Sequence, residues 1–141
     1  MGTVTTNDGV ELHYVDVGSG PTIVLIPGWS QTAAQFQAQL DGLKDRYRLI
    51  AIDMRGHGKS AKPEHGYRIP RLAKDVHDVL TALDLQDVTL LGHSMGCSVI
   101  WSYLDLFGPE RLAKLAEVAA DAGLTLLHEN EKDIVGDTPE R

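Results

Sequence analysis

Ser94 lies at the centre of Gly92-His93-Ser94-Met95-Gly96, and the types and spacing of these five residues define a chemistry. A turn with glycine two positions before and two positions after a serine brings two backbones together too closely for Cβ atoms at those sites. The serine is then held in a strained conformation with its hydroxyl exposed, as a nucleophile requires. The N–H of Met95, in the first turn of whatever helix follows, points into the same space. A serine and one oxyanion donor therefore sit side by side in a single pentapeptide.

For that reading the pentapeptide must join a strand to a helix, and the flanking sequence fits. Val88-Thr89-Leu90-Leu91 is short, apolar and β-prone, while a helix-compatible stretch runs from Met95 to about Phe107, where Gly108-Pro109 stops it. Cys97 falls on this helix and reads as a packing residue. Trp101 and Leu104, one turn apart, are expected to pack inward.

Earlier segments alternate in the same way. Val4-Thr5-Thr6 and Leu12-His13-Tyr14-Val15-Asp16-Val17 flank an Asn7-Asp8-Gly9 turn and predict a hairpin, with His13 structural or solvent-facing. Gly18-Ser19-Gly20-Pro21 is a loop. It precedes a strand rather than a helix, so it is not a phosphate cradle. Thr22-Ile23-Val24-Leu25-Ile26 is a continuous apolar run, as expected of a strand buried on both faces. Residues 32–43 keep helical spacing, Tyr47–Ile52 reads as a strand, and Ile69–Leu83 carries an apolar helical stripe with His77 at its edge. Short links between alternating strands and helices imply a parallel sheet with crossover helices.

Length and composition set the outer bounds. The chain has 141 residues, 43% hydrophobic and 23% charged, with a formal net charge of −7. These values predict a single domain over residues 1–141 with an ordinary globular core. The acidic balance, with scattered basic residues, argues against a nucleic-acid partner or an anionic membrane surface. The single cysteine forbids an internal disulfide and fits a reducing compartment. No stretch has the length of a membrane span and the N-terminus lacks a signal pattern, so the expected location is cytoplasmic.

With Ile26-Pro27-Gly28-Trp29 after a strand, Asp53-Met54-Arg55-Gly56-His57-Gly58-Lys59-Ser60 after the next, and the Ser94 elbow, residues 1–115 resemble the α/β-hydrolase family. The resemblance implies that the N–H of Trp29 is the second oxyanion donor. It also implies that Asp53, Arg55 and His57 are structural residues bracing the floor of the site. The activity implied is that of a serine hydrolase of carboxylesterase type acting on small activated esters, with no cofactor and no metal. Members carry an acid and a histidine on loops well downstream of the serine. Residues 95–141 are too few to hold both, so the fold expected is a truncated, mostly parallel hydrolase-like sheet with weak and broad activity.

Beyond residue 110 the pattern of the chain changes. Leu112, Leu115, Ala116, Val118, Ala119 and Ala122 keep a helical period, Gly123 is placed as its cap, and Leu124-Thr125-Leu126-Leu127-His128 reads as a strand. Residues 111–141 resemble a segment of the sugar-phosphate isomerase/epimerase family, a TIM barrel related to xylose isomerase. There, a strand ending in His-Glu-Asn supplies a metal-binding glutamate, which falls on Glu129. One carboxylate does not make a metal site. The expectation is a chimera joined near residues 111–118, with the borrowed helix-strand unit adding its strand beside Val88–Leu91. His128, the sole histidine after the elbow, is then the candidate general base, oriented by Glu129 or Asp133. The sheet edge left uncovered predicts a homodimer or higher oligomer, with C-terminal elements open to exchange. Two other function classes stay open: a catalytically inactive oligomerising chimera, which would not react with a fluorophosphonate, and a metal-dependent isomerase fragment, which would bind a metal at Glu129.

Overall fold

A computed structural model describes residues 1–118 and 124–129, with side chains through Ala116. Seven strands form one sheet in the order β1-β2-β4-β3-β5-β6-β7. They are β1 (Gly2–Thr5), β2 (Glu11–Gly18), β3 (Thr22–Ile26), β4 (Arg48–Ile52), β5 (Val88–His93), β6 (Leu112–Val118) and β7 (Leu124–Glu129). β4, β3, β5 and β6 are mutually parallel, while β1, β2 and β7 are antiparallel to their neighbours.

The N-terminal hairpin forms as the Asn-Asp-Gly signal predicts. Gly9 takes φ +84° and its N–H bonds to Thr6 O at 2.9 Å. A second hydrogen bond, from Thr6 N–H to Val10 O, closes the turn. The central strands alternate between two apolar layers. On one face Val24, Ile26, Ile50, Ile52, Val88 and Leu90 pack under α2 (Ile69–Ala82) and α3 (Met95–Phe107). On the other, Leu25, Leu49 and Ala51 pack under a 3-10 turn at Ala33–Phe36 and the short helix α1 (Gln37–Leu43). The helix expected over residues 32–43 is thus a tighter turn followed by two helical turns. Thr32 caps the 3-10 turn, its hydroxyl accepting the Ala34 N–H at 3.3 Å.

Three sequence expectations are corrected. Leu112–Val118 is a strand, paired parallel to β5 through the whole elbow approach, with Leu112, Leu115 and Ala116 buried. A run this short satisfies a helical period and a strand equally well. The open edge of β5 decides, because backbone groups there need partners. Leu124–Glu129 is a strand, but it pairs antiparallel with β6 instead of lying beside β5. Trp101 is 39% exposed, whereas Leu104 is buried on the same helix. The residues meeting the sheet and α2 are Val99, Ile100, Tyr103 and Leu104, and Trp101 falls on the opposite side of that stripe.

Candidate active site

β3 lies between β4 and β5, so the crossover from β3 to β4 and the next, from β4 to β5, run in opposite directions across the sheet. A crevice opens outside the carboxyl ends of the strands at such a switch point, and ligands of open α/β sheets bind there. Two loops meet at this point: Pro27-Gly28-Trp29-Ser30 after β3, and Ser94 after β5.

Ser94 is exposed and takes φ 54°, ψ −116°, a conformation L-residues rarely adopt. The flanking glycines permit it. A Cβ on Gly92 would come 2.6 Å from the carbonyl carbon of Gly96, and one on Gly96 would come 2.3 Å from the carbonyl oxygen of Ile26. The elbow therefore fits only with hydrogens at both positions, as the pentapeptide predicted. Met95 is the first residue of α3, so its N–H has no acceptor within the helix and faces the helix N-terminal space beside the serine. The Cys97 N–H closes the turn on Ser94 O at 2.9 Å.

The turn after β3 abuts the elbow. A Cβ on Gly28 would lie 3.2 Å from Ser94 Cβ. Within this turn the N–H groups on either side of Trp29 are committed: Gly28 donates to Gln35 Oε1 at 3.4 Å and Ser30 to His57 Nε2 at 2.9 Å. The Trp29 indole is 56% exposed and meets the His57 ring edge-to-face with centroids 5.0 Å apart. Tyr67 adds a second edge contact at 6.3 Å.

The loop after β4 braces these parts, in line with the structural reading of its residues. Asp53 is buried and its carboxylate accepts three hydrogen bonds, from Ala33 N–H at 2.7 Å, Lys59 N–H at 2.9 Å and the His13 ring at 3.1 Å. Arg55 is fully buried and makes a bidentate pair with buried Asp75, at 2.7 and 2.8 Å, plus a bond to Asp8 at 3.0 Å. The Arg55 guanidinium holds the Asp8 carboxyl far below the usual carboxylate range. Arg71 donates to Asp75 Oδ1, the oxygen it shares with Arg55, so the buried carboxylate has two cationic partners. Sequence reasoning found Asp53 and Arg55 but not Asp75, a charged residue inside an apolar helical stripe. That position was the available signal, since an unpaired charge there would be too costly to bury.

A cavity of about 250 Å³ is lined by His13, Thr32, Gln37, Asp53 and Lys59 among others, and none of the elbow residues contributes to it. His93 Nδ1 is buried without a hydrogen-bond partner, and a Cβ on Gly28 would lie 3.2 Å from it.

His128 and Glu129 are on β7, and their side chains, like the whole of Asp133 and Gly123, lie outside the described residues. Backbone register still locates them. His128 pairs with Leu115, which pairs with Leu90, and Glu129 pairs with Lys114. Because β7 runs antiparallel, its carboxyl end lies toward the amino ends of β5 and β6. Four residues along the strand and two strand spacings put the His128 and Ser94 backbones on the order of 16 Å apart. The expectation that His128 ends its strand on the serine's side assumed a parallel strand, and the antiparallel register removes that basis. Among the described residues no group of three or more His, Cys, Asp or Glu side chains could hold a metal ion. No helix among them is long and apolar enough to cross a membrane.

The chain matches the family model for the alpha/beta hydrolase fold over residues 21–135. It is 40% identical over 138 residues to the non-heme chloroperoxidase CPO-A1 of Kitasatospora aureofaciens, a match covering 97% of this chain and 50% of that protein. It is 34% identical over 136 residues to the bifunctional esterase/perhydrolase DCH of Acinetobacter calcoaceticus, covering 94% and 49%. Among solved structures, the esterase EaEST from Exiguobacterium antarcticum superposes with a TM-score of 0.82 at 37% identity, covering 86% of this chain and 46% of that one. The chain thus spans about half the length of the curated relatives it matches. The family match continues through residues 111–118, where the sequence reading placed a junction, and the comparisons give the barrel-derived fragment no support.

Proposed function

We propose that this chain, which belongs to the alpha/beta hydrolase fold family, acts as a serine hydrolase on small activated esters. The observation that carries the reading is the exposed, strained Ser94 at the first turn of α3, against the Gly28-Trp29 turn. Ser94 Oγ attacks the acyl carbon and its proton passes to a base. The carbonyl oxygen gains the negative charge, and the N–H groups of Trp29 and Met95 stabilise it. Collapse expels the alkoxide, which takes up a proton, and water then releases the acid from the acyl-serine. Relatives named as esterases support the reading, beside others named as haloperoxidases and epoxide hydrolases, and the choice among these activities rests on Ser94 at the elbow.

The base is the open part of the mechanism. His128, with Glu129 or Asp133 behind it, is the candidate the sequence offers, and its strand register argues for proton transfer to another acceptor. A serine with its oxyanion hole but no positioned base retains a rate advantage of roughly 10³–10⁴ over water in measured systems. Activity is accordingly expected to be weak. Self-association belongs to the same reading, since Trp101 and Leu106 are exposed apolar groups on α3.

The test is hydrolysis of p-nitrophenyl acetate by the wild type beside Ser94→Ala and His128→Ala. The proposal expects Ser94→Ala to fall to background while His128→Ala stays within about threefold of wild type, since a lost general base costs about 10²–10⁴. Equal rates for wild type and Ser94→Ala would refute the serine mechanism. A His128→Ala loss matching that of Ser94→Ala would restore His128 as the base.

A further inference from the structure

His57 is held by hydrogen bonds that leave its ring one arrangement. Its Nδ1 lies 2.9 Å from the carbonyl oxygen of Arg55, which can only accept, so Nδ1 carries the hydrogen. Its Nε2 lies 2.9 Å from the backbone N–H of Ser30, which can only donate, so Nε2 presents a lone pair. The ring is therefore neutral and in a single tautomer. Its own backbone is pinned on both sides, with the His57 N–H on Met54 O at 3.0 Å and the Ser60 N–H on His57 O at 3.1 Å.

What the ring holds is strained. Ser30 takes φ 62°, a left-handed conformation that a non-glycine residue keeps only when its surroundings enforce it. The peptide that joins it to Trp29 carries the N–H that His57 accepts, and the Trp29 indole also rests on the His57 ring, centroids 5.0 Å apart at an interplanar angle of 81°. Gln35 of the 3-10 turn on the Gly28 N–H, and His57 and Asp53 of the loop after β4 on the Ser30 and Ala33 N–H groups, anchor the turn at three points. Of the three, His57 grips the residue directly after Trp29 and sets the peptide orientation there.

We infer that His57 is a positioning residue for the oxyanion hole: by accepting the Ser30 N–H, it aims the Trp29 N–H at the oxygen of an acyl group on Ser94. This rests on the esterase reading of Ser94 and Trp29 above. Oxyanion donors act over a narrow range, 2.7–3.1 Å from the developing charge. The Trp29 N–H lies on the Gly28–Trp29 peptide, next to the Trp29–Ser30 peptide that His57 holds, so a turn released at Ser30 relaxes its left-handed φ, frees the Trp29 backbone and lets the neighbouring peptide rotate its N–H away. The loss falls on the transition state, where the charge exists, and spares ground-state binding.

Two measurements test this. The first is the trans-hydrogen-bond ¹⁵N–¹⁵N coupling between the Ser30 amide and His57 Nε2 in the labelled wild type, which reports the bond whether or not the protein turns over ester. The second is ester hydrolysis by His57→Leu and His57→Gln. Glutamine places an acceptor oxygen near the Nε2 position, and leucine does not. The inference expects a resolved coupling, a fall in kcat of about tenfold to a hundredfold in His57→Leu with KM within about twofold, and recovery of most of the loss in His57→Gln. Absence of the coupling overturns it, and so does a His57→Leu protein with wild-type kcat. Equal losses in both variants, with the melting temperature falling alongside, would make His57 a fold residue and overturn it too. A wild type showing the coupling but no Ser94-dependent hydrolysis would sink the esterase reading and remove His57's catalytic role with it, while leaving the Ser30 bond established.

Discussion

At the scale of single residues, the glycines of the elbow carry the sharpest prediction. A methyl group on Gly96 meets the carbonyl oxygen of Ile26 at 2.3 Å, and backbone cannot swing aside as a side chain can. Gly96→Ala should destabilise the fold by about 1–3 kcal/mol or more through forced backbone shifts. Gly42, in α1, has open space around its Cβ direction and an ordinary φ. Gly42→Ala should stabilise by about 0.5–1 kcal/mol. Urea denaturation of both variants separates steric demand from glycine's general flexibility. If both glycines respond alike, the steric account of the elbow fails.

Elements are held together by contacts that titrate. α2 meets α3 through His77, whose ring stacks on Phe107 at 4.1 Å and leans on Tyr103 at 6.1 Å. Burial, and then the nearby positive charge of Lys74, lower the His77 pKa below its ordinary value of 6.5, although Asp78 pulls the other way. Its folded form thus binds fewer protons than its unfolded form. The stability this packing contributes is present above about pH 6.5 and is lost as pH falls through the lower, folded value. His77→Phe keeps the stack and removes the titration. The melting temperature of the wild type should drop more between pH 7 and pH 5 than that of His77→Phe. Identical slopes would show that the interface does not feel the proton. The same burial pushes the Tyr103 hydroxyl up to about 12.

For the whole molecule, the question is what covers its exposed apolar surface. Trp101 is 39% and Leu106 50% exposed on α3, and the chain spans about half the length of its curated relatives. An oligomer of at least two chains is the proposed state, to be read by light scattering on a size-exclusion column. Association should weaken in Trp101→Glu, with circular dichroism unchanged, because the substitution is at an exposed site. A wild type that elutes with the mass of one chain at all concentrations would rule the assembly out.

The elbow, the β3 and β4 strands, the apolar face of α2 and the hairpin turn at Gly9 were legible from sequence, because each depends on local chemistry. Steric exclusion at Gly92 and Gly96, the period of Leu72, Val76 and Val79, and an Asn-Asp-Gly turn all act over a few residues. The state of residues 112–118 was not legible. Their apolar spacing suits a helix, and only the unpaired edge of β5, a non-local partner, selects a strand. The direction of β7 follows from that same pairing, and with it the distance from His128 to Ser94. Nor could spacing reveal that His57 grips Ser30 or that Arg55 pairs with Asp75, since those partners lie 27 and 20 residues apart. Local sterics and periodicity are written along the chain. Strand order, register and long-range polar pairing arise only when distant segments compete for the same buried hydrogen-bonding groups, and the tertiary structure alone decides them.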